Sequence, residues 1–239
     1  MKILITNDDG IGAPALPHLV RWAKKLGEVT VVAPKTEQSG RSQAIDFYRE
    51  IEIKPYSLPE ECEAWAVAST PADCVRFAVL GLHKQYDLVL SGINRGYNLG
   101  HDIVYSGTVG AIFEGARLGI PGIALSTEAD VFEPVLAELD GVYDYITKKG
   151  LMNHANLLNV NIPPKKSRGI CITMQGGAFF HDAFIHRGND MYAQIGDFKY
   201  GDGEDLSQDL HAVRDGYISI SPLTEKRTDW SAYEKLKNL

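Results

Sequence analysis

The sequence contains few cysteines, no excess of positive charge and no long apolar run. Three cysteines in 239 residues, with no Cys-x-x-Cys pair, argue against both a disulfide framework and a zinc site. The formal net charge of -7 disfavours binding to a nucleic-acid duplex, whose backbone is also negative. The apolar segment at residues 3–5 is too short for a signal peptide, and no later segment reaches membrane-spanning length. We therefore expect a cytoplasmic protein without a membrane partner.

Three common catalytic and nucleotide-binding motifs are also absent. The sequence has no Gly-x-Ser-x-Gly elbow, no Gly-x-x-x-x-Gly-Lys-Ser/Thr phosphate loop and no Gly-x-Gly-x-x-Gly fingerprint. The seven histidines show no spacing typical of metal ligands, and only His101, next to Asp102 in a glycine-rich segment, is a candidate for function. Because the net charge is negative, a polyphosphate substrate would need a local cation.

Short apolar runs alternate with segments of helical periodicity through the first two thirds of the chain, for example at residues 3–5, 16–26 and 29–33. This alternation predicts an α/β fold with a mainly parallel sheet, in a three-layer α/β/α, Rossmann-like arrangement. We predict one domain over residues 1–239. Its core covers about 1–165 and a final strand near 216–221, its hairpin and loop extension covers about 174–210, and its tail covers 225–239.

Two adjacent acids, Asp8 and Asp9, follow the first predicted strand in the turn Asn7-Asp8-Asp9-Gly10. Ligands of open parallel sheets collect beyond the carboxyl ends of the strands. Adjacent carboxylates also repel each other unless a cation compensates, and such oxygen-rich sites suit Mg²⁺ or Mn²⁺. The alternative is an ordinary turn with a helix cap, because Asn, Asp and Gly are the commonest turn residues.

Three further segments follow predicted strands or begin predicted helices. Residues 34–42 carry hydroxyls and Arg41, residues 91–102 form a long glycine-rich loop with many amides, and Ser106-Gly107-Thr108 begins a helix. Free amides at a helix start can bind phosphate. The alternative is an exposed linker for the first segment, a surface excursion for the second and an ordinary helix cap for the third.

Together these segments resemble the SurE family of nucleoside monophosphate phosphatases. The resemblance rests on ITNDDG at residues 5–10, VAP at 32–34 with SG at 39–40, TPADCV at 70–75, SGINRG at 91–96 with NLG at 98–100, and YSGTV at 105–109. It is dense over the first 126 residues and weaker from there to residue 223.

The resemblance implies one divalent metal ion, Mg²⁺ or Mn²⁺, held by Asp8, Asp9, Ser39 and Asn94. It also implies that substrate phosphate binds around Asn98, Ser106, Gly107 and Thr108. Members of the family are dimers or tetramers, so a homodimer or homotetramer formed through the C-terminal extension is expected.

The expected activity is metal-dependent hydrolysis of nucleoside monophosphates, with Asp8 or Asp9 as base or nucleophile. Two other classes of function stay open. A signalling receiver domain also places paired acids after its first strand, and a nucleotide-binding module without activity would use the same loops. The aromatic residues Phe179, Phe180, Phe184 and Tyr192 either stack on a base or form a subunit contact.

Overall fold

The computed structural model describes residues 1–128, 132–237 and 239. The strands are, in chain order, β1 (Lys2–Thr6), β2 (Glu28–Pro34), β3 (Ile53–Pro55), β4 (Glu63–Val67), β5 (Leu88–Arg95), β6 (Gly122–Thr127), β7 (Leu157–Ile162), β8 (Ile170–Ile172), β9 (Phe180–Gly188), β10 (Met191–Phe198) and β11 (Ile218–Leu223). The α-helices are α1 (Ala15–Ala23), α2 (Pro71–Arg76), α3 (Gly107–Arg117), α4 (Glu133–Lys148), α5 (Asp209–Arg214) and α6 (Trp230–Leu236). Shorter helical turns cover Phe77–Gly81, Gly100–Tyr105 and Leu151–Asn153.

Nine strands form one sheet in the order β3-β4-β2-β1-β5-β6-β7-β11-β8. The six neighbouring strands from β4 to β7 are parallel, whereas β3 and β11 run antiparallel to β4 and β7. The mainly parallel α/β fold is therefore confirmed. Because the six strands point the same way, the segments that follow β1, β2, β5, β6 and β7 meet at one edge of the sheet.

The sheet separates two apolar clusters, as a three-layer fold requires. One cluster joins the sheet to α1 and α4 through residues such as Leu16, Leu19 and Leu139. The other joins the opposite side chains of the strands to α2 and α3, with Val75 and Ile112 among its members. The inner strands have both faces covered, so they form continuous apolar runs such as Ile3-Leu4-Ile5 rather than an alternating pattern.

Two local features near the site are a helix cap and the end of a strand. Thr70 caps α2 by accepting a hydrogen bond from the backbone N–H of Asp73 at 3.2 Å, and Pro71 is the first residue of that helix. The prediction of a loop directly after Leu90 is wrong in its first half, because β5 continues to Arg95. Its pairing with β6 is irregular between Ser91 and Asn94. Gly92 permits this path, since its φ is +136° and a Cβ there would lie 2.3 Å from the Leu125 carbonyl oxygen.

The C-terminal region contains the predicted hairpin and the predicted final strand. Strands β9 and β10 pair antiparallel in a separate two-stranded sheet, with Ala183 opposite Ile195. Strand β11 overlaps the predicted segment near 216–221 from Ile218 onwards, and α6 lies within the predicted tail. Among residues 1–128, 132–237 and 239, no helix combines the length and the apolar character of a membrane span. The role of the extension in oligomerisation stays a prediction.

Candidate active site

The carboxyl edge of the sheet opens into a cavity of about 810 Å³ beside β1 and β5. Five of the eight predicted site residues line it, namely Asp8, Ser39, Asn94, Asn98 and Ser106. These residues come from the segments after β1 and β2, from the end of β5 and the loop that follows it, and from the start of α3. The topology therefore brings together residues that lie up to 98 positions apart in the sequence, a span that runs from Asp8 to Ser106.

Asp8 is a buried carboxylate held against the start of α3. Its Oδ2 accepts a hydrogen bond from the Thr108 backbone N–H at 3.1 Å, and its Oδ1 accepts one from the Thr108 hydroxyl at 2.5 Å. Among the described residues, Asp8 forms no ion pair. Burial raises its pKa from 3.8 to about 6, and repulsion from Asp9 adds to the rise, while the Thr108 hydrogen bonds oppose it. The negative charge of Asp8 is thus poorly compensated by the protein alone.

The loops that follow β1 and β2 are joined by backbone hydrogen bonds. Gln38 donates its backbone N–H to the Asp8 carbonyl oxygen and Ile11 donates to the Pro34 carbonyl oxygen, both at 2.7 Å. These bonds hold Ser39 beside Asp8, although the Ser39 hydroxyl itself donates to a carboxylate oxygen of Glu37 at 2.8 Å. The two loops therefore form one framework at the cavity.

Strand β5 contributes to the same framework at its carboxyl end. The backbone N–H of Arg95 donates to Asp9 Oδ2 at 3.2 Å, which ties the second acid to this strand. The Asn94 side-chain N–H donates to the Gly96 carbonyl oxygen at 2.9 Å. The loop after β1 and the end of β5 are thereby connected through the Asp9 side chain, in addition to the pairing of the two strands within the sheet.

The residues predicted to hold a metal fit a hard divalent cation in their chemistry. Asp8, Asp9, Ser39 and Asn94 offer carboxylate, hydroxyl and amide oxygens, which Mg²⁺ and Mn²⁺ prefer. Within the described part of the chain, no group of three or more His, Cys, Asp or Glu side chains could hold a metal ion. A metal ion at the two acids would therefore need Ser39 and Asn94 as neutral ligands. The raised pKa of Asp8 is the electrostatic feature that such a cation would relieve.

The four predicted phosphate-binding residues lie at or beside the cavity. Ser106 and Asn98 line the cavity, and the Ser106 hydroxyl caps α3 by accepting from the Val109 N–H at 3.1 Å. Gly107 is packed against Asp8, since a Cβ there would lie 2.9 Å from the Asp8 Cβ. Thr108 is buried and directs its amide and hydroxyl to Asp8. Its contact with phosphate stays a prediction.

Asn98 is held by side chains at the ends of neighbouring strands. Its side-chain N–H donates to the Ser126 hydroxyl at 2.8 Å, and its backbone N–H donates to Asn161 Oδ1 at 2.9 Å. Its carbonyl oxygen accepts from the side chains of Asn159 and Asn161 at 2.8 and 2.9 Å. Sequence reasoning did not assign these three supporting residues. The two asparagines in the otherwise apolar strand LLNVNI were the available signal.

The aromatic residues considered in the sequence separate into three groups. Phe180 lines the cavity, Phe179 is buried, and Phe184 and Tyr192 are exposed without lining the cavity. Six further cavity residues lie in segments that the sequence singled out without giving them individual roles, namely Gly40, Arg95, Gly96, Tyr97, Asp102 and Tyr105. Sequence reasoning missed the other three, Asp182, Gln194 and Phe198, which lie on the hairpin. His101 instead lines a smaller neighbouring cleft.

Comparison with known proteins shows the relationship of the whole chain. Residues 3–182 match the family model described as "Survival protein SurE". The 5'-nucleotidase SurE of Caldanaerobacter subterraneus subsp. tengcongensis is 38% identical over 248 residues, covering 99% of this chain and 96% of the relative. The 5'-nucleotidase SurE of Desulfitobacterium hafniense strain DCB-2 is 39% identical, covering 100% of this chain and 96% of the relative.

The same relationship appears in three dimensions. The crystal structure of the SurE protein from Aquifex aeolicus superposes with a TM-score of 0.82 at 32% sequence identity. The match covers 100% of this chain and 99% of the other. The alternative of a signalling receiver gains no support, because β5, which reads LVLSGINR, contains no aspartate that could accept phosphate.

Proposed function

The chain belongs to the SurE family, and we propose that it is a metal-dependent phosphomonoesterase that hydrolyses nucleoside monophosphates, with a 5'- or 3'-phosphate, to nucleoside and phosphate. The observation that carries this proposal is the buried Asp8, which is adjacent to Asp9 in the sequence and lines a cavity together with Ser39, Asn94 and Ser106. The two relatives named above carry the name 5'-nucleotidase SurE, which agrees with this chemistry.

Asp8, Asp9, Ser39 and Asn94 are the residues that would hold one Mg²⁺ or Mn²⁺ ion, with oxygen atoms only. A divalent ion bound there supplies a Lewis acid for a phosphoryl oxygen and lowers the pKa of a coordinated water. The chain itself supplies the geometry, because Thr108 orients the Asp8 carboxylate through two hydrogen bonds. The Arg95 amide restrains Asp9 in the same way.

The phosphate of the substrate is expected to lie at the start of α3, between the Asp8 carboxylate and the Asn98 side chain. Ser106, Gly107 and Thr108 form the first turn of this helix, where the positive end of the helix dipole favours an anion. Asn98 is well placed to orient the phosphate because four hydrogen bonds to neighbouring strands restrict its position.

Asp8 or Asp9 serves as the base that activates water or as the nucleophile that attacks phosphorus. The nucleophile route forms a phospho-aspartyl intermediate, whereas the base route does not. Reduction of the phosphorylated carboxylate with borohydride, followed by mass spectrometry of the peptide around residues 7–12, distinguishes the two. A reduced Asp8 or Asp9 identifies the nucleophile.

The decisive experiment measures phosphate release from adenosine monophosphate with EDTA, with Mg²⁺ and with Mn²⁺. We expect activity only with metal, and Asp8→Asn should lower kcat by about 10²–10⁴-fold, the usual effect of removing a general base. The matched control is Asp144→Asn, which removes an exposed acid paired with Lys148 on α4. Nucleotide binding without turnover in the wild-type protein would instead identify a binding module.

The assembly is proposed to be a homodimer or homotetramer built through the extension at residues 174–210. Strands β9 and β10 carry several exposed apolar side chains, among them Phe184, Ile185, Met191 and Ile195. Large exposed apolar patches mark interaction surfaces in many proteins.

A further inference from the structure

Asp102 links the hairpin to the segment that enters α3. Its Oδ2 accepts hydrogen bonds from the backbone N–H groups of Phe179 and Phe180, at 2.7 and 2.6 Å. Asp102 lies in the turn Gly100–Tyr105, which runs directly into the helix cap Ser106, and it also lines the cavity. One carboxylate thus ties the first residue of β9 to the expected phosphate site.

A second carboxylate, that of the buried Asp209, fixes the same junction. Asp209 Oδ2 accepts from the Gly100 N–H, and its Oδ1 accepts from the Gly176 N–H, each at 2.8 Å. A Cβ on Gly100 would lie 2.0 Å from the Gly177 carbonyl oxygen, so the two backbones approach closely. The base of the hairpin is therefore fixed relative to the turn that carries Asp102.

The junction presents an aromatic surface to the cavity. Phe179 is buried with Leu99 and Leu210 in a small separate cluster. The Phe198 ring lies 4.9 Å from the Phe179 ring and 5.1 Å from the Phe180 ring, measured between centroids. Phe180 and Phe198 line the cavity, and 65% of Phe198 is exposed. A supported ring with an open face is the arrangement on which a base stacks.

We propose, on the basis of the function proposed above, that Phe180 and Phe198 are the specificity-determining surface on which the nucleobase stacks. Asp102 is the positioning residue that holds this surface at its place in the cavity through the two backbone N–H groups at the start of β9. Substrate selectivity therefore depends on the hairpin, whereas hydrolysis depends on the carboxyl edge of the sheet.

The test compares kcat/KM for adenosine 5'-monophosphate with kcat/KM for ribose 5-phosphate, which has no base, in the presence of Mn²⁺. Because stacking on one aromatic side chain contributes about 1–3 kcal/mol, Phe180→Leu should lower this ratio at least about fivefold, mainly through KM. Phe180→Tyr, which keeps the ring, should retain the ratio. Asp102→Ala should also lower the ratio of the two kcat/KM values. Asp102→Asn, which keeps an acceptor oxygen, should retain most of that ratio.

The matched control is Phe184→Leu, which changes an exposed ring on the same strand that does not line the cavity, so the ratio should stay within about twofold. Circular dichroism checks that each variant folds, and Phe198→Leu repeats the test independently of Asp102. An unchanged ratio in folded Phe180→Leu and Phe198→Leu overturns the proposal and leaves self-association as the role of these rings. A wild-type protein that hydrolyses neither compound refutes the proposed function instead.

Discussion

The carboxyl edge of the large sheet and the β9–β10 hairpin line the same cavity, but the sheet edge is buried and hydrogen-bonded to neighbouring strands, whereas the hairpin is mostly exposed. Asp8 is buried, and Asn98 is fixed by several hydrogen bonds from neighbouring strands. The side chains along β9 and β10 are mostly exposed, and the two strands pair only with each other. The position of the hairpin therefore depends on contacts at its base, such as those of Asp102.

This difference in rigidity matches the different requirements of catalysis and of substrate recognition. Reacting groups need positions defined to within a fraction of an ångström, which a buried strand end provides. A surface that contacts a base or a second subunit tolerates more movement, and an exposed hairpin can change its sequence without disturbing the core. We therefore expect substitutions at the sheet edge to have large effects and those along the hairpin to have small ones.

The largest expected effect on stability is at Asp8. The folded protein has an Asp8 pKa of about 6, against an ordinary value of 3.8, so the folded state holds the proton more tightly than the unfolded state does. The contribution of Asp8 to the unfolding free energy is fully present below pH 3.8 and is lost as the pH rises through 6. The metal-free wild type should therefore lose about 3 kcal/mol relative to Asp8→Asn across this window.

Urea unfolding in EDTA, at several pH values between about 4 and 7.5, measures this difference. Asparagine can keep both contacts with Thr108, because its oxygen accepts from the amide and its N–H donates to the hydroxyl. The unfolding free energy of Asp8→Asn should then depend less on pH than that of the wild type, although the variant has lost most of its activity. If the unfolding free energies of the two proteins changed in parallel with pH, burial of the Asp8 carboxylate would not destabilise the metal-free protein. The contrast between the sheet edge and the hairpin would then be contradicted.

The parts of the site that sequence could predict are those governed by local chemistry and by strand direction. Asp8 lies three positions after the apolar run at residues 3–5, and parallel strands bring such positions to one edge of the sheet. Asn94 lies in the loop singled out at residues 91–102, and its individual role was implied by the family resemblance. Thr70 and Ser106 have the residue types of helix caps, and both act as caps. These signals lie within a few residues of each position, so no knowledge of distant contacts was necessary.

The remaining parts of the site depend on contacts between distant segments. Asn98 is bound by Asn159 and Asn161, which lie 61 and 63 residues away, and no local pattern connects them. Phe180 lines the cavity while its neighbour Phe179 is buried, because successive side chains of an extended segment point to opposite sides. A shift of one residue would exchange the two rings, and sequence periodicity does not define that register at the start of a strand.

A second prediction tests how tightly the sheet edge is packed. In Gly107→Ala, the new Cβ would lie 2.9 Å from the Asp8 Cβ and 3.0 Å from Asp8 Oδ2, so the carboxylate must move. We expect kcat to fall on the order of 10²-fold, because misplacing a reacting group by about 1 Å has that effect. Gly12→Ala is the matched control in the loop after Asp9, since a Cβ there has no neighbour within 4 Å. Equal activity of the two variants would contradict the tight packing.

The smallest expected effect is the change in unfolding free energy caused by substitutions on the exposed side of the β9–β10 hairpin. Replacing the exposed Phe184 and Met191 by serine should change the unfolding free energy of the monomer by no more than about 0.5 kcal/mol, because neither side chain is buried in the chain itself. The same pair should weaken self-association, which sedimentation at several protein concentrations detects. Unfolding must be measured where the protein is monomeric, since association would stabilise the wild type by mass action. A large loss of stability in the monomer would mean that the hairpin packs on the core, and recognition would then depend on the same rigid framework as the chemistry.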